Sequence, residues 1–255
     1  MINNIIHPVL TNIMRNPFAS RYGGVASFDT GGVRADGTND YSRLASDLTG
    51  ISDGKQFTFA ARLRINGSDS TLYYILDFGG LGRFSVQRDT IDRIIIFGRN
   101  SSDTIILTIG SSANSVEVAD GFVNILASID MADSANSHLY INDVEDDAGK
   151  TIVNDAIDFT HGAVSIGARG AGILKLDGDI RSLYFTTEHI DIAVEANRRK
   201  FFDADGLPAI DPSSDGSSVT GTTPLIYLAG DESTWATNNG SGGGFTEYGD
   251  YEAIP

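Results

Sequence analysis

Strict alternation of apolar and polar side chains is the clearest pattern in this chain. Residues 57–65 read FTFAARLRI, and the even positions carry Thr, Ala and Arg. Side chains of a β-strand point alternately to opposite faces, so this spacing predicts a strand with one buried and one wet face. The residues predicted to face the core are Phe57, Phe59, Ala61, Leu63 and Ile65.

The same period of two recurs along much of the chain. A strand is expected to begin at Tyr41, after the turn sequence DGTND. Residues 94–97 are apolar at both parities, which is typical of a central strand buried on both faces. Strands about 8–12 residues apart, with almost no helical periodicity, predict an all-β sandwich or barrel. Further apolar positions with strand spacing are Leu72, Tyr74, Leu76, Phe78, Phe84, Val86, Ile105, Leu107, Ile109, Val123, Ile125, Ala127, Ile129, Leu139 and Ile141.

Residues 159–187 are predicted to close the sandwich as a hairpin. A short apolar strand comes first, and the glycine-rich sequence GARGAG then supplies a turn. Beyond the turn the apolar parity changes, from even at Ile180 to odd at Leu183. A strand that keeps both side chains inward needs one extra residue, so we predict a β-bulge near Arg181 and Ser182.

One segment departs from strand spacing. In residues 187–206, apolar side chains recur near helical spacing at Ile190, Val194 and Phe201, with acidic residues early and basic residues late. That charge order suits the helix dipole, so one short C-terminal helix is predicted. The predicted organisation is an N-terminal arm or peripheral strand at 1–20, a sandwich at 21–190, and a helix with a loop-rich extension packed on the same domain at 191–255.

Composition narrows the classes of function. The 255 residues include 34 acidic and 18 basic side chains, a formal net charge of −16. Nucleic acid is not an expected partner, because phosphate binding needs a concentrated basic face. There is no cysteine, hence no disulfide or thiolate site. The sequence shows no signal for export through the Sec pathway and no apolar run long enough for membrane insertion.

Signals for catalysis are weak. The four histidines are scattered, and the glycines of GARGAG have neither dinucleotide-binding nor P-loop spacing. A glycoside hydrolase on a β-sandwich needs two carboxylates on one face, yet Glu188 and Asp191 do not share strand parity. No residue is therefore predicted to be catalytic.

Acidic turns make calcium the candidate cofactor, because this cation takes several carboxylate and carbonyl oxygens. No EF-hand spacing is present, and an ordinary polar turn is the alternative at each position. The candidate ligands are Asp36, Asn39 and Asp40 in one turn, Asp77 at a strand end, and Asp177 with Asp179 in the turn LDGD.

Aromatic rings are the second resource, because sugars stack on rings beside polar hydrogen-bonding groups. Tyrosines at the edge of a sandwich core are the alternative interpretation. The candidates for glycan binding are Tyr41, Tyr73 and Trp235, with Tyr140 and Tyr248 as further exposed rings.

Three blocks of sequence resemble the concanavalin A-like, laminin-G-like jelly-roll superfamily. They are VRADGTNDYSRL with FTFAARLRI, then LASIDMADSANSHLYIND, then SIGARGAG with LDGDIRSLYF, and together they cover about residues 22–187. The resemblance implies a concanavalin A-like jelly-roll sandwich of two antiparallel sheets, carbohydrate or protein binding on a concave face or rim, and often a calcium ion. The ordered acidic triplet of the superfamily's glucanases is missing, which argues against hydrolysis.

The block at residues 195–249 is similar to the end of laminin-G-like proteins encoded by phages and prophages. This similarity implies a non-enzymatic protein on the virion surface, either a capsid decoration or head spike or a tail-associated adhesin, assembled in the host cytoplasm. Its expected partners are other virion proteins, further copies of itself and a cell-surface glycan. The alternatives are a glycoside hydrolase or lyase on the same fold and a free carbohydrate-binding module.

Overall fold

The computed structural model describes residue 28 and residues 31–80, 82–211 and 213–255. Within these ranges the chain forms two antiparallel sheets around a shared hydrophobic core, together with one turn of α-helix. The predicted all-β sandwich with one short C-terminal helix is confirmed. The arm or peripheral strand predicted at 1–20 lies outside the described residues, and the boundary at residue 190 stays a prediction.

The strands are short, and two of them are longer than the rest. Two 3-10 helices cover Val118–Asp120 and Ser134–Asn136, and the α-helix α1 covers Glu195–Arg198. The strands are β1 (Val33–Asp36), β2 (Tyr41–Leu44), β3 (Gln56–Ile65), β4 (Tyr73–Phe78), β5 (Phe84–Arg88), β6 (Ile94–Arg99), β7 (Ile105–Gly110), β8 (Val123–Asp130), β9 (His138–Ile141), β10 (Val144–Glu145), β11 (Gly149–Ile152), β12 (Val164–Ile166), β13 (Asp177–Thr186), β14 (Ile226–Leu228) and β15 (Thr246–Tyr248).

In the described part of the chain, one sheet has seven strands and the other has eight. The seven-stranded sheet has the order β1-β13-β3-β8-β9-β10, and β14 also pairs with β13. The eight-stranded sheet has the order β11-β7-β6-β5-β4-β12-β2-β15. The long strands β3 and β13 lie side by side and carry the middle of the seven-stranded sheet.

Five phenylalanines form the centre of the core between the sheets. Phe57 and Phe185 come from the seven-stranded sheet, Phe78 and Phe84 from the eight-stranded sheet, and Phe159 from the segment before β12. All five rings are fully buried, and their contacting centroids lie 4.8 to 6.2 Å apart, mostly edge to face. Burial of each ring stabilises the fold by about 1.5–3 kcal/mol, which explains why the alternating pattern fixes the faces of both sheets.

The predicted bulge in β13 is confirmed. The register between β3 and β13 shifts between Ile180 and Ser182, which leaves Arg181 as the extra residue. Ile180 and Leu183 both face the core, as the change of apolar parity required. The bulge therefore adds one basic side chain to the outer face of the seven-stranded sheet.

The predicted hairpin at 159–187 is wrong. The strand β12 pairs with β2 and β4 in the eight-stranded sheet, whereas β13 belongs to the seven-stranded sheet. The glycine-rich residues between them first fold over the outer face of the eight-stranded sheet, where the Gly170 N–H donates to the Asp77 carboxylate at 2.9 Å, and then cross to the other sheet. The sequence of two apolar strands joined by a turn is similar whether the strands pair with each other or belong to different sheets.

The strand at 94–97 is interior to its sheet, as predicted, but not buried on both faces. Ile94 and Ile96 are fully buried in the core, whereas Ile95 and Phe97 on the outer face are partly exposed. The expectation of two buried faces is therefore wrong.

Residues 190–211 and 213–229, here called the C-terminal segment, pack on the outer face of the seven-stranded sheet. The predicted helix shrinks to the four residues of α1, because Ile190 and Ile192 are buried in the loop and turn ahead of it rather than on a helical stripe. No helix among the described residues has the length and apolar character to cross a membrane. The second hydrophobic cluster formed in this way contains Ala60, Leu126, Tyr140, Tyr184, Ile190, Ile192, Phe201, Phe202, Ile210, Val219, Tyr227 and Ala229.

Candidate functional site

A cavity of about 310 Å³ opens where the C-terminal segment meets the outer face of the seven-stranded sheet. We call it the C-terminal cavity. Strands β3, β8 and β9 supply its floor, and α1 with the loop at 203–206 supplies its wall. Its lining residues are Arg62, Phe122, Asn124, Leu126, Tyr140, Asn142, Asp143, Arg198, Arg199, Phe202, Asp203, Ala204, Asp205 and Gly206.

The floor is built from the outward positions of neighbouring strands. Arg62 pairs with Asn124 across β3 and β8, and Leu126 pairs with Tyr140 across β8 and β9. Asn124, Leu126 and Tyr140 are all less than a tenth exposed. The same alternation that fills the core therefore also places one basic, one amide and one aromatic side chain on the opposite surface.

The wall is held to the floor by the side chain of Asp143. Its two oxygens accept hydrogen bonds from Arg198 Nε at 2.6 Å and Arg199 Nη2 at 2.7 Å. The guanidinium of Arg198 also lies 4.5 Å from the centroid of the Tyr140 ring. Partial burial alone would raise the pKa of Asp143, but the hydrogen bonds from Arg199 and Arg198 outweigh it and lower this pKa.

Gly206 brings loop backbone directly onto the floor. Its carbonyl oxygen accepts from Asn124 Nδ2 at 2.8 Å and from Arg62 Nη1. The residue has φ of +75°, and a Cβ there would lie 2.9 Å from Asn124 Nδ2. Only glycine fits both the left-handed backbone and the close approach, so the turn sequence at 203–206 sets this side of the cavity.

Four arginines cluster on the outer face of the seven-stranded sheet, next to the cavity. Phe122, which also lines the cavity, has the guanidiniums of Arg62, Arg64 and Arg181 at 5.2, 4.8 and 4.7 Å from its ring centroid. The fully buried Asp179 accepts from Arg34 Nε and from Arg64 Nε, both at 2.9 Å. We call Arg34, Arg62, Arg64 and Arg181 the arginine cluster.

This network corrects the prediction for LDGD. Asp177 and Asp179 are the first and third residues of β13, not a turn. The carboxylate of Asp179 has two guanidinium partners, and its Oδ1 also accepts from Asn66 Nδ2 at 2.6 Å. These partners occupy both oxygens, so Asp179 does not fit a calcium ion. Burial first, and then the nearby Asp36, raise the pKa of Asp177.

The other predicted calcium ligands keep the turn between β1 and β2 in place. Asp36 Oδ1 accepts from the backbone N–H groups of Thr38 and Asn39, at 2.7 and 3.2 Å. Asp40 accepts from the backbone of Asp36 and Asp250, both at 2.9 Å. In the ranges that the structure describes, no group of three or more His, Asp or Glu side chains is arranged to hold a metal ion. Calcium at this turn stays a prediction.

The remaining candidate ligand, Asp77, is fully buried beneath the glycine-rich residues that precede β13. Cross-strand pairing places it between Ser85 and Ser165 on the outer face of the eight-stranded sheet. Burial raises the pKa of Asp77 to about 6, although the Gly170 N–H and the charge of Arg169 act in the opposite direction. Among the residues that the structure describes, Asp77 belongs to no group of three or more acidic or histidine side chains placed to hold a metal ion.

The aromatic predictions have mixed outcomes. Trp235 is fully buried in the core, Tyr73 is 7% exposed and Tyr41 is 9% exposed, so none of the three rings has the exposed face that the prediction assumed. Tyr41 stacks on Tyr248 with centroids 4.5 Å apart, and Tyr248 is 39% exposed. Glycan binding by Tyr41 stays a prediction. Of the further aromatic candidates, Tyr140 lines the C-terminal cavity.

Sequence reasoning missed most of the cavity. The sequence predicts Arg62 only as a member of a wet strand face and Arg198 only as a charge favourable to the helix dipole, and it makes no prediction for Asn124. Their outward parity was the available signal, but parity does not reveal which distant segment covers a face. Glu188 and Asp191, the carboxylates weighed for hydrolysis, do not line the C-terminal cavity.

Comparison with known proteins places the fold but not a family. No protein-family model matches the sequence, and a search of curated proteins gives no significant match. Among solved structures, one similar chain is described as "a putative carbohydrate binding protein" from Bacteroides ovatus ATCC 8483. The TM-score is 0.54 at 13% identity, and the match covers 78% of this chain and 50% of that one. This chain thus spans about half the length of that relative.

Two weaker likenesses accompany it. The carbohydrate-binding module of a Ruminococcus gnavus sialidase, bound to α2,3-sialyllactose, gives a TM-score of 0.46 at 14% identity, covering 68% of this chain and 98% of that one. A pentraxin from Limulus polyphemus gives 0.43 at 15% identity, covering 62% and 76%. Both scores are too low to support a conclusion about function. The chain is an all-β sandwich of two antiparallel sheets, as predicted, and the likeness to the Bacteroides ovatus protein lies in that fold.

Proposed function

We propose that this chain is a non-catalytic carbohydrate-binding protein and that its ligand enters the C-terminal cavity. The observation that carries the proposal is the cavity itself, since a space of about 310 Å³ combines aromatic side chains with convergent amide, carboxylate and guanidinium groups. Small-molecule sites in proteins are concave and have a few well-placed polar groups on a largely preformed scaffold. A sugar ring, with an apolar face and several hydroxyls, matches that chemistry.

The lining residues offer both kinds of hydrogen-bonding partner. Asp203 and Asp205 supply acceptors, whereas Arg199 supplies donors, so the lining offers both kinds of group to sugar hydroxyls. The hydrogen bonds of Asp143 to α1 hold the wall in place before any ligand arrives. A preformed wall lowers the entropy lost on binding.

The same geometry supports binding rather than cleavage. A glycoside hydrolase needs one carboxyl group with a raised pKa as its general acid. In the C-terminal cavity the pKa of Asp143 is lowered, because the hydrogen bonds from Arg199 and Arg198 exceed the effect of burial. Asp143 is therefore ionised and does not suit that role.

The likeness to the Bacteroides ovatus protein agrees with this proposal, because that protein is described as "a putative carbohydrate binding protein". The likeness covers half of that protein and concerns the fold alone.

We place the protein on a virion surface, as a capsid decoration or head spike or as a tail-associated adhesin. The support is the sequence similarity of residues 195–249 to phage-encoded laminin-G-like proteins. In this setting the protein assembles in the host cytoplasm with other virion proteins and with further copies of itself, and its glycan lies on the host cell. Antibody labelling of purified particles under the electron microscope tests the placement. Label on the head or tail supports it, and particles without label contradict it and leave a free carbohydrate-binding module.

An occluding variant tests the binding site. Ala204 is an exposed turn residue that lines the cavity, so Ala204→Phe fills the space without removing a hydrogen bond. We expect glycans identified on an array to lose at least tenfold in affinity, measured by isothermal titration calorimetry.

The matched control is Ala171→Phe, also at an exposed turn, on the outer face of the eight-stranded sheet. It should leave affinity unchanged, and both variants should keep the circular dichroism of the wild type. Loss of binding in Ala171→Phe alone would move the site to the other sheet. Release of reducing sugars by the wild type would contradict a non-catalytic role.

A further inference from the structure

Residues 193–200 run along the wall of the C-terminal cavity without a buried side chain of their own. We call them the strap. They include α1, and each of them is partly or fully exposed. Ile192 before the strap and Phe201 after it are both buried in the second hydrophobic cluster. Local stability follows buried apolar contacts, so hydrophobic packing fixes only the two ends of the strap.

The helix within the strap is weak on its own. It has four residues, and its N-cap residue Val194 makes no side-chain capping hydrogen bond. An isolated turn of helix is unstable, because nucleation costs more than its few hydrogen bonds return. Lys200 donates to the Val219 carbonyl at 3.1 Å, which lies in the C-terminal segment itself. Contacts with the seven-stranded sheet must therefore hold α1 in place.

These contacts with the sheet converge on the hairpin between β9 and β10. Arg198 Nε and Arg199 Nη2 donate to the two oxygens of Asp143, at 2.6 and 2.7 Å. In the described ranges, no other hydrogen bond joins the strap to the seven-stranded sheet. The Arg198 guanidinium also lies 4.5 Å from the centroid of the Tyr140 ring on β9. The carboxylate of Asp143 is therefore the main polar tether of the strap.

The turn that carries Asp143 is itself fixed to the sheet. Ile141 pairs with Val144, so Asn142 and Asp143 form a two-residue hairpin loop, with φ of +49° and +65°. Positive φ at both loop residues is typical of a type I′ turn. The Asn142 side chain accepts from the backbone N–H of Asn124 at 2.9 Å, which joins the loop to β8.

Asp143 occupies the loop position at which a type I′ turn favours glycine. A side chain there is strained, because positive φ brings its Cβ close to the backbone. Strain of this kind persists where the surrounding structure over-determines it, and it clusters at functional sites. The two arginines that share this carboxylate give a physical reason for a side chain at residue 143.

We infer that Asp143 is the positioning residue of the C-terminal cavity: it holds the strap against the sheet, and the strap moves away when this contact is lost. The role in ligand binding rests on the proposed function. While Asp143 holds them, Arg198 and Arg199 are ordered before a ligand arrives. Without it, these long side chains must be ordered during binding, which lowers affinity.

The first test needs no ligand. Asp143→Gly removes the carboxylate and suits the positive φ, so the hairpin should fold at least as well as in the wild type. Hydrogen–deuterium exchange in a peptide that covers residues 193–202 should become about tenfold faster, because the strap opens more often. Exchange in peptides from β3 and β8 should not change. Unchanged exchange in the strap would overturn the inference, and so would faster exchange throughout the seven-stranded sheet.

The matched control is Asp103→Gly. Asp103 also has a left-handed backbone, with φ of +64°, and its carboxylate lies 3.3 Å from Arg83 and 3.6 Å from Arg99. It belongs to the turn between β6 and β7 in the eight-stranded sheet. The control should leave exchange in the strap unchanged.

A second variant, Asp143→Asn, keeps the size of the side chain and one oxygen acceptor, and asparagine tolerates positive φ. Strap exchange should lie between that of the wild type and that of Asp143→Gly. Exchange as slow as in the wild type would contradict a contact that needs both carboxylate oxygens. This variant keeps the inference testable even if Asp143→Gly fails to fold.

Ligand binding separates the inference from the proposed function. For the array glycan that binds the wild type most tightly, Asp143→Gly should lower affinity by about tenfold, whereas Asp103→Gly should not change it. Faster strap exchange with unchanged affinity would overturn the positioning role and leave the proposed function standing. If no glycan binds the wild type, the proposed function fails, and the exchange result alone decides whether Asp143 holds the strap.

Discussion

Each outer face of the sandwich buries a carboxylate completely, but the two faces treat it differently. On the seven-stranded sheet, Asp179 is surrounded by Arg34, Arg64 and an amide. On the eight-stranded sheet, Asp77 lies under a glycine-rich segment, with the Gly170 N–H as a hydrogen-bond donor. A buried carboxylate costs several kcal/mol unless opposite charge or hydrogen bonds compensate for it. The first face therefore surrounds its carboxylate with opposite charge, whereas on the second face burial raises the pKa of the carboxyl group to about 6.

The largest effect is expected from Asp179→Ala. Removing the carboxylate takes away the partner that Arg34 and Arg64 share, which should cost about 3 kcal/mol of unfolding free energy. Denaturant unfolding at neutral pH measures this. Asp179→Asn should cost nearly as much, because the negative charge is lost even though the size of the side chain is kept.

The control for this experiment is Asp147→Ala, which breaks the partly exposed pair between Lys150 and Asp147 at 2.8 Å. Surface pairs contribute less than about 1 kcal/mol, so this variant should unfold almost like the wild type. A small loss in Asp179→Ala, similar to that of the control, would show that the arginines do not depend on the buried carboxylate.

The fold followed from sequence because burial repeats with a simple period. Side chains such as Phe57 and Leu63 can reach the core only if the strand keeps its parity, and the bulge at Arg181 was visible as a break in that parity. Which strands pair was not visible, since β12 and β13 would have the same local sequence in a hairpin or in two sheets. Short-range patterns therefore fixed the faces of the strands but not the path of the chain.

The candidate site was far less predictable. The C-terminal cavity joins positions as distant as Arg62, Tyr140 and Gly206, and only the folded chain brings them together. Trp235 was a candidate because sugars stack on exposed aromatic rings, yet its indole is fully buried in the core. Residues whose role depends on long-range contact carry little signal in a single sequence.

A smaller change in unfolding free energy, whose size depends on pH, is expected from Asp77→Asn. Burial raises the pKa of Asp77 from 3.8 to about 6, so the native state holds this proton more tightly than the unfolded chain does. The side chain therefore lowers stability above pH 6, and this penalty disappears as the pH falls towards 4. The neutral amide should stabilise the protein at pH 8 by about 2 kcal/mol and make little difference at pH 4.

Urea unfolding of the wild type and Asp77→Asn at several pH values measures this difference. Asp215→Asn is the control of opposite sign. Side-chain and backbone hydrogen bonds from Ser217, together with the Thr223 hydroxyl, lower the pKa of Asp215 to about 2, so its stabilising effect is present above pH 4 and is lost as the pH falls through 2. A pH-independent difference between the wild type and Asp77→Asn would show that Asp77 titrates normally in the native state.

The smallest effect is expected where β15 closes the eight-stranded sheet. Tyr41 and Tyr248 are cross-strand partners whose rings are nearly parallel, at 5° and 4.5 Å between centroids. Tyr248→Ala removes the stack and should cost about 1 kcal/mol of unfolding free energy, whereas Tyr248→Phe keeps it and should cost almost nothing. The same variants weigh one face against the other for ligand binding. If glycan affinity falls in Tyr248→Ala but not in Ala204→Phe, the sugar stacks beside Tyr41 on the eight-stranded sheet. If affinity falls in Ala204→Phe but not in Tyr248→Ala, the sugar binds in the C-terminal cavity, and the ring of Tyr248 contributes only to stability.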